Sequence, residues 1–146
     1  MAYDGVTYSG TTATMLSNGT DTFSVGSTTP VATAPADTLT LHLAEDAWEG
    51  DAQFTLSVDG KVVSTPQAVV ALHNAGAWED LSFTGNLGSG SHAIGVTFTN
   101  DAYGGTSTTD RNLQVNGISV NEQQYGSGVT TLLSNSTASF TVTTTH

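Results

Sequence analysis

The alternation of apolar and polar residues is the feature of this sequence that most constrains its fold. Apolar side chains occupy every second position in four separate runs, at residues 39–43, 54–58, 94–98 and 113–115. A period of two turns one side of a strand inward and the other outward, which is typical of half-buried antiparallel strands. No window carries a helical stripe of useful length. The pattern therefore predicts an all-β fold.

Turn signals separate these runs. Asp59 and Gly60 directly follow one run, and both residue types tolerate the positive φ of a type I′ hairpin turn. Clusters of Gly, Asn and Ser separate the other runs. Short strands with regularly spaced turns predict a two-sheet antiparallel β-sandwich of jelly-roll type.

Composition excludes several kinds of partner. The chain has 146 residues, the size of one ordinary domain, and 13 acids against two bases give a formal net charge of −11. We therefore expect neither nucleic acid nor an anionic membrane surface as a partner, because both require clustered Lys and Arg. No apolar run approaches the ~20 residues that span a bilayer, and no signal peptide is recognisable at the first residues. The absence of cysteine excludes disulfides, thiolate zinc sites and cysteine nucleophiles.

An internal repeat suggests the domain organisation. Residues 8–25 and 125–142 align without a gap, and each copy predicts two short strands around a Ser-Asn turn. We divide the chain into a β-hairpin segment at 1–25, a linker-like stretch at 26–36 and the main domain at 37–146. The first segment is either the tail of a preceding module in a tandem array or a set of extra strands of the same sandwich.

Two acidic loops predict a calcium site. Glu45, Asp46, Glu49 and Asp51 follow the first run, and Asp101 follows the third run. Like charges packed so closely are unfavourable unless a cation compensates them. Calcium selects hard oxygen donors on flexible turns, including backbone carbonyls. A solvated acidic loop is the plainer interpretation of either cluster alone, but two such loops together favour Ca²⁺.

Other chemistry has little support. The four histidines, His42, His73, His92 and His146, show no zinc-ligand spacing. There is no EF-hand, P-loop or nucleophile elbow, and nothing specifies the buried general acid that a glycosidase needs. We therefore expect a protein that is not an enzyme.

Two blocks of this sequence resemble carbohydrate-binding module family 60. The first is EDAWEGDAQF at 45–54 followed by VDG at 58–60, and the second is VTFTNDAYGGT at 96–106 followed by TDRNL at 109–113. With GSGSH at 88–92, the similarity extends over roughly residues 37–120. It implies a β-sandwich, a circular permutant of family 36, that binds xylan and related plant β-glycans through calcium. It also implies a secreted protein, with the module appended to a glycoside hydrolase or other modules.

The resemblance also suggests roles for individual residues. Asp110 and the carbonyl of Thr109 match the family's sugar-facing calcium site, with further oxygens from Asp101 and from Glu45, Asp46 and Asp51. Sugar hydroxyls would complete the calcium shell, and an aromatic ring would cover the C–H face of the sugar.

Four further residues stand out around these acids. Trp48 and Tyr103 lie beside them and are the stacking candidates. We expect Arg111 to hold Asp110 or a neighbouring carboxylate, or else to bind sugar directly. Trp78 begins an apolar pattern, so we expect it in the core.

Two functions follow from these patterns. The first is non-catalytic, calcium-dependent binding of plant polysaccharide. The alternative is a structural or adhesive repeat of a large secreted or surface protein, in which calcium only rigidifies the domain.

Overall fold

The computed structural model describes residues 35–146 and, near the amino terminus, the strand residues 2–3 and 6–7. The chain divides into two compact units, residues 1–32 and 33–146. In the first unit, β1 (Ala2–Tyr3) pairs antiparallel with β2 (Val6–Thr7). The first copy of the repeat and most of the linker-like stretch 26–36 lie outside the described residues, so the proposed division of the chain stays a prediction.

The second unit consists of β-strands, with a short 3-10 helix at His73–Ala75. The strands are β3 (Asp37–Asp46), β4 (Gln53–Val58), β5 (Lys61–Val62), β6 (Gln67–Ala68), β7 (Glu79–Gly85), β8 (Gly90–Phe98), β9 (Ala102–Tyr103), β10 (Asp110–Val120), β11 (Gln123–Tyr125), β12 (Thr130–Leu132) and β13 (Thr137–Thr144). No helix among the described residues is long and apolar enough to cross a membrane.

The strands form two antiparallel sheets. The first sheet has the order β11-β10-β3-β7, and β9 and β12 also pair with β10. The second sheet has the order β13-β8-β4-β5, with β6 paired to β4. The predicted all-β, two-sheet antiparallel sandwich is confirmed.

Alternating residues of both sheets build the core. The inward side chains of β3, β4, β8 and β10 are almost fully buried, and they include Leu41, Phe54, Ile94, Phe98 and Leu113. The outward side chains of the same strands are mostly polar. Each fully buried Leu or Phe contributes about 1.5–3 kcal/mol relative to an exposed one. The period-two pattern therefore reflects the side of each strand that contacts the opposite sheet.

The predicted hairpin turn is present. Asp59 and Gly60 have φ of 49° and 81°, and Val58 pairs with Lys61 across them. Two positive φ values at the central positions define a type I′ turn, whose twist matches that of the flanking strands.

The carboxyl-terminal copy of the repeat forms the two strands that were predicted around a Ser-Asn turn. Its strands β12 and β13 belong to different sheets, because β12 pairs with β10 and β13 pairs with β8. Ser134 and Asn135 lie between them. This segment is therefore a crossing between the two sheets and does not form a hairpin.

Candidate functional site

The predicted acidic residues lie at one end of the first sheet, where β3 ends and β10 begins. β3 continues to Asp46, so Glu45 and Asp46 are strand residues and not loop residues as the sequence suggested. Adjacent strand residues point to opposite sides of the sheet. Glu45 pairs with the buried Leu113, whereas Asp46 pairs with Asn112. Asp46 therefore lies on the side away from the core, which we call the outer face.

The outer face carries buried oxygen atoms that have no hydrogen-bond partner within residues 35–146. They include Oδ1 of Asn112 and Oε1 of Gln114, and these two residues are only 6% and 1% exposed. The amide of Gln114 donates to Oδ2 of Asp46 at 2.6 Å, and that of Asn112 donates to Oδ2 of Asp110 at 3.2 Å. A buried acceptor without a partner costs about 1–3 kcal/mol. A donor or a cation from outside residues 35–146 would remove this cost.

Asp101 joins this group through β9. Ala102 pairs with Arg111, which brings Asp101 to the level of Asn112. Its backbone N–H donates to Oδ1 of Asn135 at 2.8 Å, while its own Oδ1 is buried without a partner. Tyr103 pairs with Asp110 and is 64% exposed. An accessible aromatic ring thus lies next to the acidic residues, as the stacking prediction requires.

Arg111 links two loops through their backbone. Its guanidinium donates to the carbonyls of Glu49 at 2.6 Å, Gly50 at 3.0 Å and Asn100 at 2.6 Å. Among the described residues, no ion pair joins it to a carboxylate. The charge of Arg111 nevertheless acts to lower the pKa of the nearby Glu45 carboxyl. The expectation that Arg111 holds Asp110 or a neighbouring carboxylate stays a prediction. A direct contact between Arg111 and sugar stays a prediction.

Glu45 stabilises the loop that follows β3 from the core side. Its Oε2 accepts the N–H of Ala52 at 2.5 Å, and its Oε1 is buried without a partner. Burial, with a smaller contribution from the negative charge of Asp51, raises the pKa of Glu45 to about 7, although the hydrogen bond from Ala52 acts to lower it. In the same loop, the carbonyl of Asp51 accepts the side-chain amide of Asn100 at 2.9 Å. The exposed Asp51 therefore contributes its backbone to the loop structure.

Residues 104–109 form a compact loop between β9 and β10. The N–H of Gly104 donates to the carbonyl of Thr109 at 2.6 Å, and the N–H of Thr109 donates to the carbonyl of Thr106 at 3.1 Å. A Cβ on Gly104 would lie 2.6 Å from Cζ2 of Trp48. The half-buried Trp48 ring therefore packs directly on this loop, and its predicted role in sugar stacking stays a prediction.

The structure divides the predicted ligands into two sets. Asp46, Asp101 and Asp110 share one end of the first sheet with the amides of Asn112 and Gln114, whereas Glu45 lies on the core side. No group of three or more His, Cys, Asp or Glu side chains within the described residues is arranged to hold a metal. A cation here would need amide and carbonyl oxygens as well. The orphaned oxygens of Asn112, Gln114 and Asp101 are hard donors of the type that calcium takes, so these residues fit calcium.

Trp78 is not a core residue, contrary to expectation. Its ring stacks on His42 with centroids 5.1 Å apart and an interplanar angle of 11°, and it meets the edge of His73 at 5.7 Å. His73 in turn lies 3.6 Å from Oδ1 of Asp46. Trp78 thus belongs to the outer face, because the polar side chain of His42 offers it a flat partner there.

Two deeply buried polar residues of the site, Asn112 and Gln114, were not predicted from the sequence. Asn112 and Gln114 alternate with Arg111 and Leu113 on β10, and the same alternation that predicts the strand puts them on the side of Asp110. The signal for them in the sequence was the polar residue at every second position after Asp110.

The fold and the outer face define this protein as a β-sandwich binding module with a polar, acidic site beside an exposed tyrosine. The family model CBM60, described as a Ca-dependent, xylan-binding carbohydrate-binding module, matches residues 38–135. This span covers more than half of the chain. The chain belongs to the CBM60 family and contains a carbohydrate-binding module.

A solved structure supports this assignment. The chain is similar to vCBM60 in complex with galactobiose, with 26% sequence identity and a TM-score of 0.50. The alignment covers 72% of this chain and 99% of that one. No curated protein matches the chain.

Proposed function

We propose that this protein binds xylan-type β-glycans without catalysis, through a calcium ion held at the end of the outer face. The observation that carries the proposal is the set of buried oxygens of Asp101, Asn112 and Gln114 that lack hydrogen-bond partners within residues 35–146. Asp46 and Asp110 supply the negative charge beside them. Calcium, when bound, provides a positive charge whose open coordination positions accept neutral oxygens.

The residues around these oxygens have different roles in the proposed site. The amides of Gln114 and Asn112 orient the carboxylates of Asp46 and Asp110, each through one hydrogen bond. Tyr103 offers its exposed ring to the C–H face of a sugar. Arg111 keeps the loop after β3 next to Asn100. Two adjacent sugar hydroxyls would then approach the acidic end of the face beside an aromatic ring.

The family match and the neighbour support the choice of ligand. The family description names xylan, and the neighbouring structure contains galactobiose, so the test includes oligosaccharides of both xylose and galactose. The proposal includes secretion and attachment to a glycoside hydrolase or other modules, because such polysaccharides occur outside cells.

The test is isothermal titration with xylo- and galacto-oligosaccharides, in calcium and in excess chelator. We expect binding only in calcium, and we expect Asp110→Asn to lose most of it. Asp59→Asn is the matched control, because Asp59 lies on the second sheet and binds His92. Full affinity in chelator would refute calcium dependence. Calcium that raises the melting temperature without any sugar binding would instead favour the structural or adhesive repeat.

A further inference from the structure

A polar cavity lies on the same outer face, away from the acidic end. We call it the outer groove; it has a volume of about 470 Å³ and is lined by Thr40, His42, Asp80, Asn116, Ser119 and Gln124, among others. His42 and Asp46 are four residues apart on β3, a separation of about 13 Å at the usual strand rise. The groove therefore lies a few sugar lengths from the acidic end.

We propose that the outer groove is a second sugar subsite, which takes further residues of the polysaccharide chain bound at the acidic end. The inference rests on the proposed function and specifies its ligand: an extended chain that reaches both the acidic end and the outer groove, and not an isolated disaccharide.

A series of side-chain contacts connects the acidic end to the outer groove. His73 lies 3.6 Å from Asp46 and packs edge-on against Trp78, which stacks on His42 in the wall of the groove. His42 is held in turn by Oδ1 of Asp80 at 2.6 Å. A fixed stack of aromatic rings on the outer face therefore lies between the acidic end and the outer groove. A chain that leaves the acidic end along β3 passes this stack.

A bulge in β10 opens the groove. The pairing of β10 with β3 shifts register between Val115 and Ile118, and Gly117 has a φ of 78°. A Cβ on Gly117 would lie 3.2 Å from the carbonyl of Tyr125, so the bulge requires glycine. Within residues 35–146, no hydrogen bond uses the side chain of Asn116, which lies in the bulge. Its half-buried side chain lines the groove, where it can bind a ligand.

The chemistry of the lining favours a neutral, hydroxylated ligand. The lining combines amide, hydroxyl, imidazole and carboxylate groups, which both donate and accept hydrogen bonds. No Lys or Arg lines it, which disfavours an anion. Its lining contains a single carboxylate, Asp80, which already contacts His42, and this disfavours a second metal. Hydroxyl-rich sugar residues fit this lining, because they donate and accept hydrogen bonds and carry no charge.

The experiment compares a xylo-disaccharide with a xylo-hexasaccharide by isothermal titration in saturating calcium. We expect the wild type to bind the hexasaccharide more tightly. His42→Ala and, separately, Asn116→Ala should each weaken hexasaccharide binding by about 2- to 10-fold and leave disaccharide binding unchanged. His92→Ala is the matched control, because His92 pairs with Asp59 on the second sheet in the same way. It should change neither affinity.

Each other outcome is informative. If the variants lose the same affinity for both oligosaccharides, or for neither, the inference is overturned. In that case calcium-dependent binding of the disaccharide by the wild type would still uphold the proposed function. No binding of either sugar by the wild type would overturn both. Melting temperatures of the variants identify any loss that comes from unfolding, and Asn116→Ala, at a half-buried position in the bulge, provides the result if His42→Ala fails to fold.

Discussion

Replacing Arg111 by methionine removes three hydrogen bonds and keeps most of the side chain's apolar stem. The guanidinium donates to the carbonyls of Glu49, Gly50 and Asn100, and Arg111 is only 7% exposed. A hydrogen bond that involves a charged group contributes about 1.5–3 kcal/mol. Water can reach the carbonyls of Glu49 and Gly50 after the substitution. The sum of three such contributions therefore overstates the loss in the free energy of unfolding. We expect the free energy of unfolding to fall by about 3–5 kcal/mol.

Urea denaturation followed by tryptophan fluorescence measures this loss. Lys61→Met is the matched control, because Lys61 is the other basic residue and is exposed on β5. It should change the free energy of unfolding by less than about 0.5 kcal/mol. Arg111→Met should also weaken calcium binding, because the two loops are no longer held together. A loss below about 1 kcal/mol in Arg111→Met would refute the linking role.

Three further predictions concern stability. Phe54→Ala should cost about 3–5 kcal/mol, because the ring is fully buried between the sheets; a urea midpoint close to that of the wild type would contradict this. Gly117→Ala should cost about 1–2 kcal/mol because φ is 78° there, and an unchanged melting temperature would show that the bulge tolerates a side chain. The hydrogen bond to Asp59 raises the pKa of His92, so its stabilisation is complete below pH ~6.5 and is lost as pH rises through the raised value. His92→Gln should flatten the decline in stability over that range, and an unchanged pH profile would exclude the pair as its cause.

The strands and the first hairpin could be predicted because their signals are local. Alternation of apolar residues depends only on which side of a strand contacts the other sheet. Asp59 and Gly60 form their turn through their own φ preferences. The family resemblance and the β-sandwich, both predicted from the sequence, are confirmed as well.

The arrangement of the site could be predicted only in part. The apolar pattern of β3 stops at Leu43, so the sequence placed Glu45 and Asp46 in one loop, but pairing with β10 extends the strand to Asp46 and separates their side chains. The partners of Arg111 are carbonyls from two loops that meet only in the folded chain. No charge pattern reveals backbone partners, so the sequence suggested only a carboxylate or a sugar as the partner of Arg111.

Calcium titration with and without a xylo-oligosaccharide tests the central claim most directly. If the ion and the sugar share the oxygens at the end of the outer face, each must strengthen the binding of the other by the same factor. We expect this mutual strengthening of calcium and sugar binding in the wild type. We expect it to be lost in Asn112→Ala, which removes one of the orphaned oxygens. Sugar binding that is equally strong without calcium, or calcium binding that the sugar leaves unchanged, would contradict the account.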